Sequence, residues 1–169
     1  MKGLVNYPAS VSAKHITVCN GVNWMTLDPS VTHITVEGNC GNDVSLTVLD
    51  LSRFLYLKEL VVGNESFMYV NELKLIGLHY LESVDIGMNS FTKQKNSWGN
   101  DPNRHFYLKD CPKLKSLKMG RYSFSDYTVI EIENVDALEW IEIGDLNELS
   151  FNFDYASLEL KSILIHSKR

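Results

Sequence analysis

The chain contains little cysteine and no long apolar segment. Its 169 residues include three cysteines, Cys19, Cys40 and Cys111, which are too few and too scattered for a disulfide framework. No two of them have the spacing of zinc ligands. No run of about 18 apolar residues occurs, so we expect no membrane span. These absences exclude small disulfide-stapled domains and helical membrane proteins.

Basic charge and a leader segment are also missing. The formal net charge is −5, which argues against nucleic acid as a partner, because phosphate backbones select for clustered lysine and arginine. Residues 1–12 lack the charged start and the apolar stretch of a secretory signal peptide. Without a signal peptide or a disulfide framework, a cytoplasmic location is slightly favoured, unless the sequence is a piece of a longer chain.

Signatures of catalysis are absent as well. The sequence has no glycine-rich phosphate loop, no His-Glu-x-x-His pair and no nucleophile elbow, and its histidines do not have metal-ligand spacing. Carboxylates side by side on parallel strands could support glycosidase or lyase chemistry. The strand register described below, however, gives these carboxylates lysine neighbours, and a lysine stabilises the ionised form rather than the protonated acid. We therefore predict no enzyme activity, no metal and no cofactor.

What the chain does have is a repeated frame, Leu-x-x-Leu-x-Ile-Gly-x-x-Ser-Phe. Its first position falls at Leu57, Leu81 and Leu114 in the full copies, and at Val31, Leu138 and Leu160 in weaker ones. From Leu57 onward these positions are 24, 33, 24 and 22 residues apart. A period of this size indicates stacked units, none of which can bury its apolar face alone.

A second apolar alternation precedes each full frame and predicts a second strand. Short alternating runs rich in β-branched residues are typical of strands. The upstream runs are Leu49 and Leu51, Leu73 and Leu75, Phe106 and Leu108, and Ile130 and Ile132. We predict a mainly β fold with little helix. Each repeat of about 24 residues supplies two short parallel strands to two sheets that face each other across a narrow core.

Glycine and phenylalanine recur at fixed points of the frame. A glycine follows each strand, where it suits a corner that needs either an unusual φ or close approach of two backbones. These glycines are Gly63, Gly87, Gly120 and Gly144. A phenylalanine comes four residues later in three units and is predicted to turn inward, which forms an aromatic ladder. These residues are Phe67, Phe91 and Phe124.

Two further columns support this register. Cys111 aligns with Phe54, Leu78 and Val135, which predicts a small buried hydrophobe rather than a reactive thiol. Residues just after the first leucine alternate in charge from unit to unit, as neighbours on parallel strands should. They are Lys58, Glu82, Lys115, Glu139 and Lys161.

The frame resembles the leucine-rich repeat family. Leu81, Val84, Ile86, Asn89 and Phe91 match the segment Leu-x-x-Leu-x-Leu-x-x-Asn-x-Leu of that family. The period and the Ile-Gly-x-x-Ser-Phe ending are similar to the BspA-like variant, which occurs in surface and interaction proteins. The resemblance covers roughly residues 31–165. It implies a curved right-handed solenoid that binds its partners through one sheet face.

The chain departs from the family pattern at two points. The asparagine position holds Glu65 in one unit and Tyr122 in another, so the usual ladder of buried asparagines is broken. After Gly144, Leu149 stands within one or two residues of the place where a phenylalanine is expected.

The repeats divide the chain into a cap and a solenoid. Residues 1–30 are predicted to be an N-terminal cap or partial repeat, and residues 31–169 the leucine-rich-repeat-like solenoid. The longest interval implies an insertion loop at about residues 92–103, which carries Trp98. The sequence stops shortly after the strand that ends at Ile165, so that strand is either shielded by charge or continued by further units. An unmasked edge would invite self-association.

The predicted function follows from the outward positions of the first sheet. The main prediction is non-enzymatic protein–protein recognition, and the alternative is a carbohydrate-binding or adhesive cell-surface module. Trp140 is either a binding hot spot or a local lid over Ser116 and Ser162. Trp98 is either a partner contact or is tucked back onto the stack. The candidate partner-binding residues are His33, Glu59, Val61, Asp85, Lys118, Trp140, Glu142 and Trp98.

Overall fold

The structure, a computed structural model, describes residues 12–162 and contains strands but no helix within that range. The predictions that concern residues 1–11 and 163–169, including the strand ending at Ile165, lie outside the described residues. The strands are β1 (His15–Val18), β2 (His33–Val36), β3 (Val48–Asp50), β4 (Glu59–Val62), β5 (Glu72–Ile76), β6 (Ser83–Ile86), β7 (Asp101–Lys109), β8 (Ser116–Met119), β9 (Tyr127–Glu133), β10 (Trp140–Ile143) and β11 (Ser157–Lys161).

These strands form two parallel sheets. Sheet A has the order β1-β2-β4-β6-β8-β10, and sheet B has the order β11-β9-β7-β5-β3. From β2 onward, consecutive strands alternate between the two sheets. The prediction of a mainly β protein built on two parallel sheets is therefore confirmed.

The register of both sheets follows the apolar alternation. In sheet A the second apolar position of each frame aligns across the strands, so Leu60 lies beside Ile34 on one side and Val84 on the other. In sheet B, Leu73 lies between Leu49 and Phe106 in the same way. In strands β2, β4, β5, β6 and β8, every second side chain is thus buried between the sheets. A slip of one residue would expose this apolar set and is strongly disfavoured.

Three of the frame glycines are required by close backbone approach. A Cβ added at Gly63 would lie 2.5 Å from the backbone nitrogen of Gly38, and one at Gly120 would lie 2.6 Å from that of Met88. Gly87 meets the backbone of Asn64 in the same way. The fourth, Gly144, has a positive φ of 74°. Glycine after a strand is favoured either by an unusual φ or by close approach of two backbones. At Gly63, Gly87 and Gly120 the reason is close approach.

The predicted aromatic ladder is present at the corner that follows sheet A. The rings of Phe67, Phe91 and Phe124 stack with centroids 4.9 Å apart at each step. Trp24 packs against Phe67 at 5.7 Å, and Phe153 stacks on Phe124 at 5.0 Å. The sequence departs from the frame near Leu149 because residues 145–149 form an extra loop. The residue that continues the ring stack is therefore Phe153.

Serine hydroxyls bond the buried backbone at the corner that follows sheet A. Ser66, Ser90 and Ser123 are fully buried, and each hydroxyl donates to a backbone carbonyl of the preceding unit. The acceptors are the carbonyl oxygens of residues 37, 63 and 87. The hydroxyl oxygens of Ser90 and Ser123 also accept the N–H of the serine in the unit before. These bonds satisfy part of the buried backbone at the corner, and the side chains of Asn64 and Asn152 bond further backbone groups there.

Cysteine usage differs from the prediction. Cys19 and Cys40 form a disulfide, with their Cα atoms 5.0 Å apart. The two residues are neighbours because β1 pairs in register with β2, which places the chain after Val18 beside the chain after Val36. The structure thus contains one bridge, which is not a disulfide framework. Cys111 is buried, as predicted.

Strand β7 begins at Asp101, inside the range of about 92–103 in which the sequence predicts the insertion. The inward alternation of this long strand reaches back to Arg104, which is fully buried. Its guanidinium donates to the Asp126 carboxylate at 2.6 Å and to the carbonyls of Met68 and Val70. These bonds fix the start of β7, so the irregular part of the loop ends at residue 100.

The two ends of the described stack differ. Near the N-terminal end, Trp24 and Leu27 pack against the core. At the C-terminal end, core-facing residues of β10 and β11 remain exposed because no described strand covers them. These residues are Ile141, Ile143, Leu158 and Leu160.

Candidate functional site

The outer face of sheet A carries most of the residues that the sequence nominates for binding. Its strands are parallel and in register, so outward side chains form two rows with about 4.8 Å between neighbouring strands. One row consists of His15, His33, Glu59, Ser83, Ser116 and Trp140. The other consists of Thr17, Thr35, Val61, Asp85, Lys118 and Glu142. Every candidate residue except Trp98 lies on this one face.

A histidine pair and a carboxylate occupy the N-terminal half of the face. The rings of His15 and His33 stack with centroids 3.9 Å apart. Nδ1 of His33 lies 2.8 Å from the Thr32 hydroxyl, and Nε2 lies 3.8 Å from a carboxylate oxygen of Glu59. Partial burial lowers the pKa of His33, and repulsion from His15 adds to the effect, while Glu59 opposes it. His33 is therefore neutral at pH 7 and presents a polar ring, not a cation.

The C-terminal half of the face combines an ion pair with an exposed indole. Nζ of Lys118 lies 3.7 Å from a carboxylate oxygen of Glu142, and Asp85 flanks Lys118 on the adjacent strand. Trp140 is 47% exposed and is paired in register with Ser116, whose small side chain covers little of the indole. Tryptophan is enriched among interface hot spots because it contributes a large contact area at low entropic cost.

Trp98 lies apart from this face, on the loop that connects β6 to β7 and thus crosses from sheet A to sheet B. It is 52% exposed, and its ring packs against Tyr155 at 5.5 Å. Lys95 ties the same loop to the stack through a 2.7 Å ion pair with Glu65. The structure thus separates the two exposed tryptophans onto different surfaces.

The cysteines of the described residues are a buried thiol and a disulfide pair. Burial raises the pKa of the Cys111 thiol to about 11, so it is not a nucleophile at neutral pH. Within residues 12–162, one group of potential metal ligands has its donor atoms within 4.8 Å of one another, namely Cys19, Glu37 and Cys40. Because the two sulfurs are joined, that group offers no thiolate in the oxidised protein.

Sequence reasoning missed the buried polar cluster of Arg104, Asp126 and Tyr127. The guanidinium lies 4.9 Å from the centre of the Tyr127 ring, and the Tyr127 hydroxyl donates to the carbonyl of Val70 at 2.7 Å. Burial raises the pKa of Tyr127 far above its usual range. Asp126 also accepts the backbone N–H of Lys93 at 3.1 Å. The cluster fixes the base of the insertion loop. The signal was available, since Arg104 precedes Phe106 and Leu108 at inward spacing.

Comparison with known proteins adds no family. No family model, no curated protein and no solved structure matches this chain. In residues 12–162 we find no helix with the length and apolar character needed to cross a membrane.

Proposed function

We propose that this chain is a non-enzymatic protein-recognition module and that the outer face of sheet A is its binding surface. The observation that carries the proposal is the pair of in-register rows of outward side chains, which ends in the exposed indole of Trp140 beside the Lys118–Glu142 pair. A surface that places mixed side chains at regular intervals on a hydrogen-bonded sheet is suited to recognising another folded surface.

We further propose that the fold is a leucine-rich-repeat-like solenoid of the BspA-like variant. Three features support this interpretation: the recurring frame, the alternation of strands between two parallel sheets, and the corner at which the phenylalanines stack. In such an architecture each unit contacts its neighbours, so the units present their outward residues on one continuous surface.

Rigidity is the physical advantage of this surface. The positions of the outward side chains are fixed by the sheet ladder and by the buried ring and serine ladders behind the corner. A partner therefore binds without ordering the backbone, and that lowers the entropic cost of association.

The size of the face limits the kind of partner. Six strands at about 4.8 Å spacing and four residues at about 3.3 Å rise give a strip of roughly 24 by 13 Å. This area is smaller than the ~800 Å² that each protein contributes to a typical stable interface. We infer that a stable partner also contacts the corner loops beside the strands, whereas one confined to the strip binds transiently.

The C-terminal edges of the two sheets are a second site for protein contact. Ile143 in β10 and Leu160 in β11 face the core side, yet both are exposed. In the preceding strands their counterparts Met119 and Ile132 are buried. Because such edges pair readily with further strands, we propose continuation or self-association there.

The binding proposal is tested with the two exposed tryptophans as a matched pair. Wild type, Trp140→Ala and Trp98→Ala are immobilised at equal density, and captured proteins from the source cells are quantified by mass spectrometry. We expect a partner that wild type and Trp98→Ala retain and Trp140→Ala loses, at unchanged melting temperature. Loss of a hot-spot tryptophan costs about 2 kcal/mol or more, which weakens Kd roughly 30-fold.

A charge-reversal variant provides an independent test of the same surface. Lys118→Glu places a third acid between Asp85 and Glu142, and the new repulsion is expected to reduce binding of the same partner. Retention of that partner by both Lys118→Glu and Trp140→Ala would show that the outer face of sheet A is not the binding surface.

A further inference from the structure

A groove at the N-terminal end of the stack is separate from the outer face of sheet A. It has a volume of about 880 Å³ and lies between the loop of residues 19–25 and the segment of residues 39–50. Concave sites of this volume are typical of small-molecule binding. Trp24, Met25 and Val48 contribute apolar surface, and asparagine and aspartate side chains contribute the polar surface.

The walls of the groove are held in place independently of any ligand. The Cys19–Cys40 disulfide joins them at one end. At the other end, the guanidinium of Arg53 donates to the carbonyls of Trp24 and Met25. Asn42 fixes the second wall by donating to the Glu65 carbonyl at 2.9 Å and accepting the N–H of Met68 at 2.7 Å. The groove is therefore preformed, which lowers the cost of binding.

The polar side chains of the groove each use one atom for the fold and leave another available. Oδ1 of Asn20 accepts the Gly41 N–H, Oδ1 of Asn23 accepts the Met25 N–H, and Oδ1 of Asn39 accepts the Asn42 amide. Within the described residues, the three Nδ2 groups then remain as free donors. Each asparagine is also held in a fixed orientation by the bond it makes.

Carboxylates supply the matching acceptors. Oδ1 of Asp43 accepts the N–H and the hydroxyl of Ser45, each at 2.8 Å, and Oδ1 of Asp50 accepts the N–H of Ser52 at 2.9 Å. The Ser45 bonds lower the pKa of Asp43, so its Oδ2 is a charged acceptor at neutral pH. The groove lining thus contains both side-chain donors and side-chain acceptors.

The residue types in the groove select against anions and against a metal ion. In the described chain, no lysine, arginine or histidine lines it, so an anionic ligand would meet the carboxylates of Asp43 and Asp50 without a basic side chain in the lining. Its acidic side chains also do not converge as a cation site, since the ligand group found within residues 12–162 is Cys19, Glu37 and Cys40. A neutral ligand rich in hydroxyl groups satisfies both donors and acceptors, and its C–H surface can pack on Trp24 and Met25.

We propose that this groove is a binding site for a neutral carbohydrate, and that the Cys19–Cys40 disulfide sets its width. The site does not rest on the protein-recognition face, because Trp140 and Lys118 lie on other strands of the stack.

The test uses wild-type protein and an array of neutral oligosaccharides of glucose, mannose, galactose and N-acetylglucosamine, followed by calorimetric titration of the best binder. Val48→Trp fills the groove from a position that is already 45% exposed. Val44→Trp, at a 69% exposed site on the same segment but outside the groove lining, is the matched control. Binding is expected in wild type and Val44→Trp and at least about tenfold weaker in Val48→Trp, with equal melting temperatures.

Three further measurements make the outcome decisive. Cys19→Ser/Cys40→Ser is expected to bind more weakly because the walls are no longer joined, and Asp43→Ala because an acceptor is lost. Trp140→Ala is expected to bind like wild type, which separates this site from the recognition face. The proposal is overturned if no neutral glycan binds wild type, if sialylated or sulfated glycans bind better than neutral ones, or if Val44→Trp and Val48→Trp bind equally.

Discussion

The ring ladder predicts a specific pattern of energetic coupling. Phe91 is fully buried between Phe67 and Phe124, with ring centroids 4.9 Å away on both sides. A stacked aromatic pair contributes about 0.5–1.5 kcal/mol beyond the area that it buries. Replacing phenylalanine by leucine keeps most of the volume but removes the ring. Phe91→Leu therefore loses two ring contacts, roughly 1–3 kcal/mol. Phe67→Leu and Phe124→Leu lose at least as many, because Trp24 also packs on Phe67 and Phe153 also stacks on Phe124.

Double-mutant cycles measure these contacts directly. The three single variants, the three pairs and wild type are unfolded in urea, and the free energy of unfolding is taken from the midpoint and slope of each transition. We expect coupling of about 0.5–1.5 kcal/mol for Phe67 with Phe91 and for Phe91 with Phe124. Phe67 with Phe124 should be nearly additive because Phe91 separates them. Equal coupling in all three pairs, or none in any, would refute the ladder and the register that builds it.

Three further variants probe other parts of the account. Gly120→Ala places a Cβ 2.6 Å from a backbone nitrogen and should lower the free energy of unfolding, measured in urea, by about 1–3 kcal/mol. Gly38→Ala should be nearly neutral, because the nearest atom to its added Cβ lies 3.5 Å away. Arg104→Met should lower the free energy of unfolding by about 3–5 kcal/mol, because it leaves the Asp126 carboxylate buried without its ion-pair partner. The double variant Arg104→Met/Asp126→Leu should recover most of that free energy. Failure to recover it would contradict the pairing. The lowered pKa of His33 means that the unfolded state binds the proton more readily, so stability should fall as pH is lowered through the range just below about 6.5. His33→Gln should flatten this dependence, and an unchanged pH profile would argue against it.

The sheets and their register were predictable from sequence because two independent signals agree. The apolar alternation places Leu60, Val84 and Leu117 in one column, and the glycine and phenylalanine positions repeat at the same offsets from it. A strand buried on one face has a single favourable register, so correct alignment of the units also gives the correct neighbours.

Features that depend on irregular spacing were not predictable in the same way. The disulfide between Cys19 and Cys40 follows strands β1 and β2, which precede the first full copy of the frame. Phe153 continues the ring ladder only because residues 145–149 form an additional loop. In both cases an insertion or a truncated unit shifts a residue away from the offset that the other copies define.

The buried Arg104 was overlooked because charge normally indicates exposure. Its burial depends on Asp126 and on two carbonyl groups from a distant corner, and these partners become neighbours only after the sheets have formed. The groove residues are similar. Asn20, Asn23 and Asn39 are ordinary turn residues in the sequence, and their shared orientation toward one cavity follows from the tertiary arrangement.

The most direct test of the central claim, that sheet A presents one continuous outward face, is a measurement of interstrand proximities by nuclear Overhauser effects. We expect the Val61 methyl protons to show contacts with the Thr35 methyl group on one side and with the Asp85 β-protons on the other. Contacts from Val61 to Ile34 or Val36 instead would place its side chain in the core, and the proposed recognition surface would not exist.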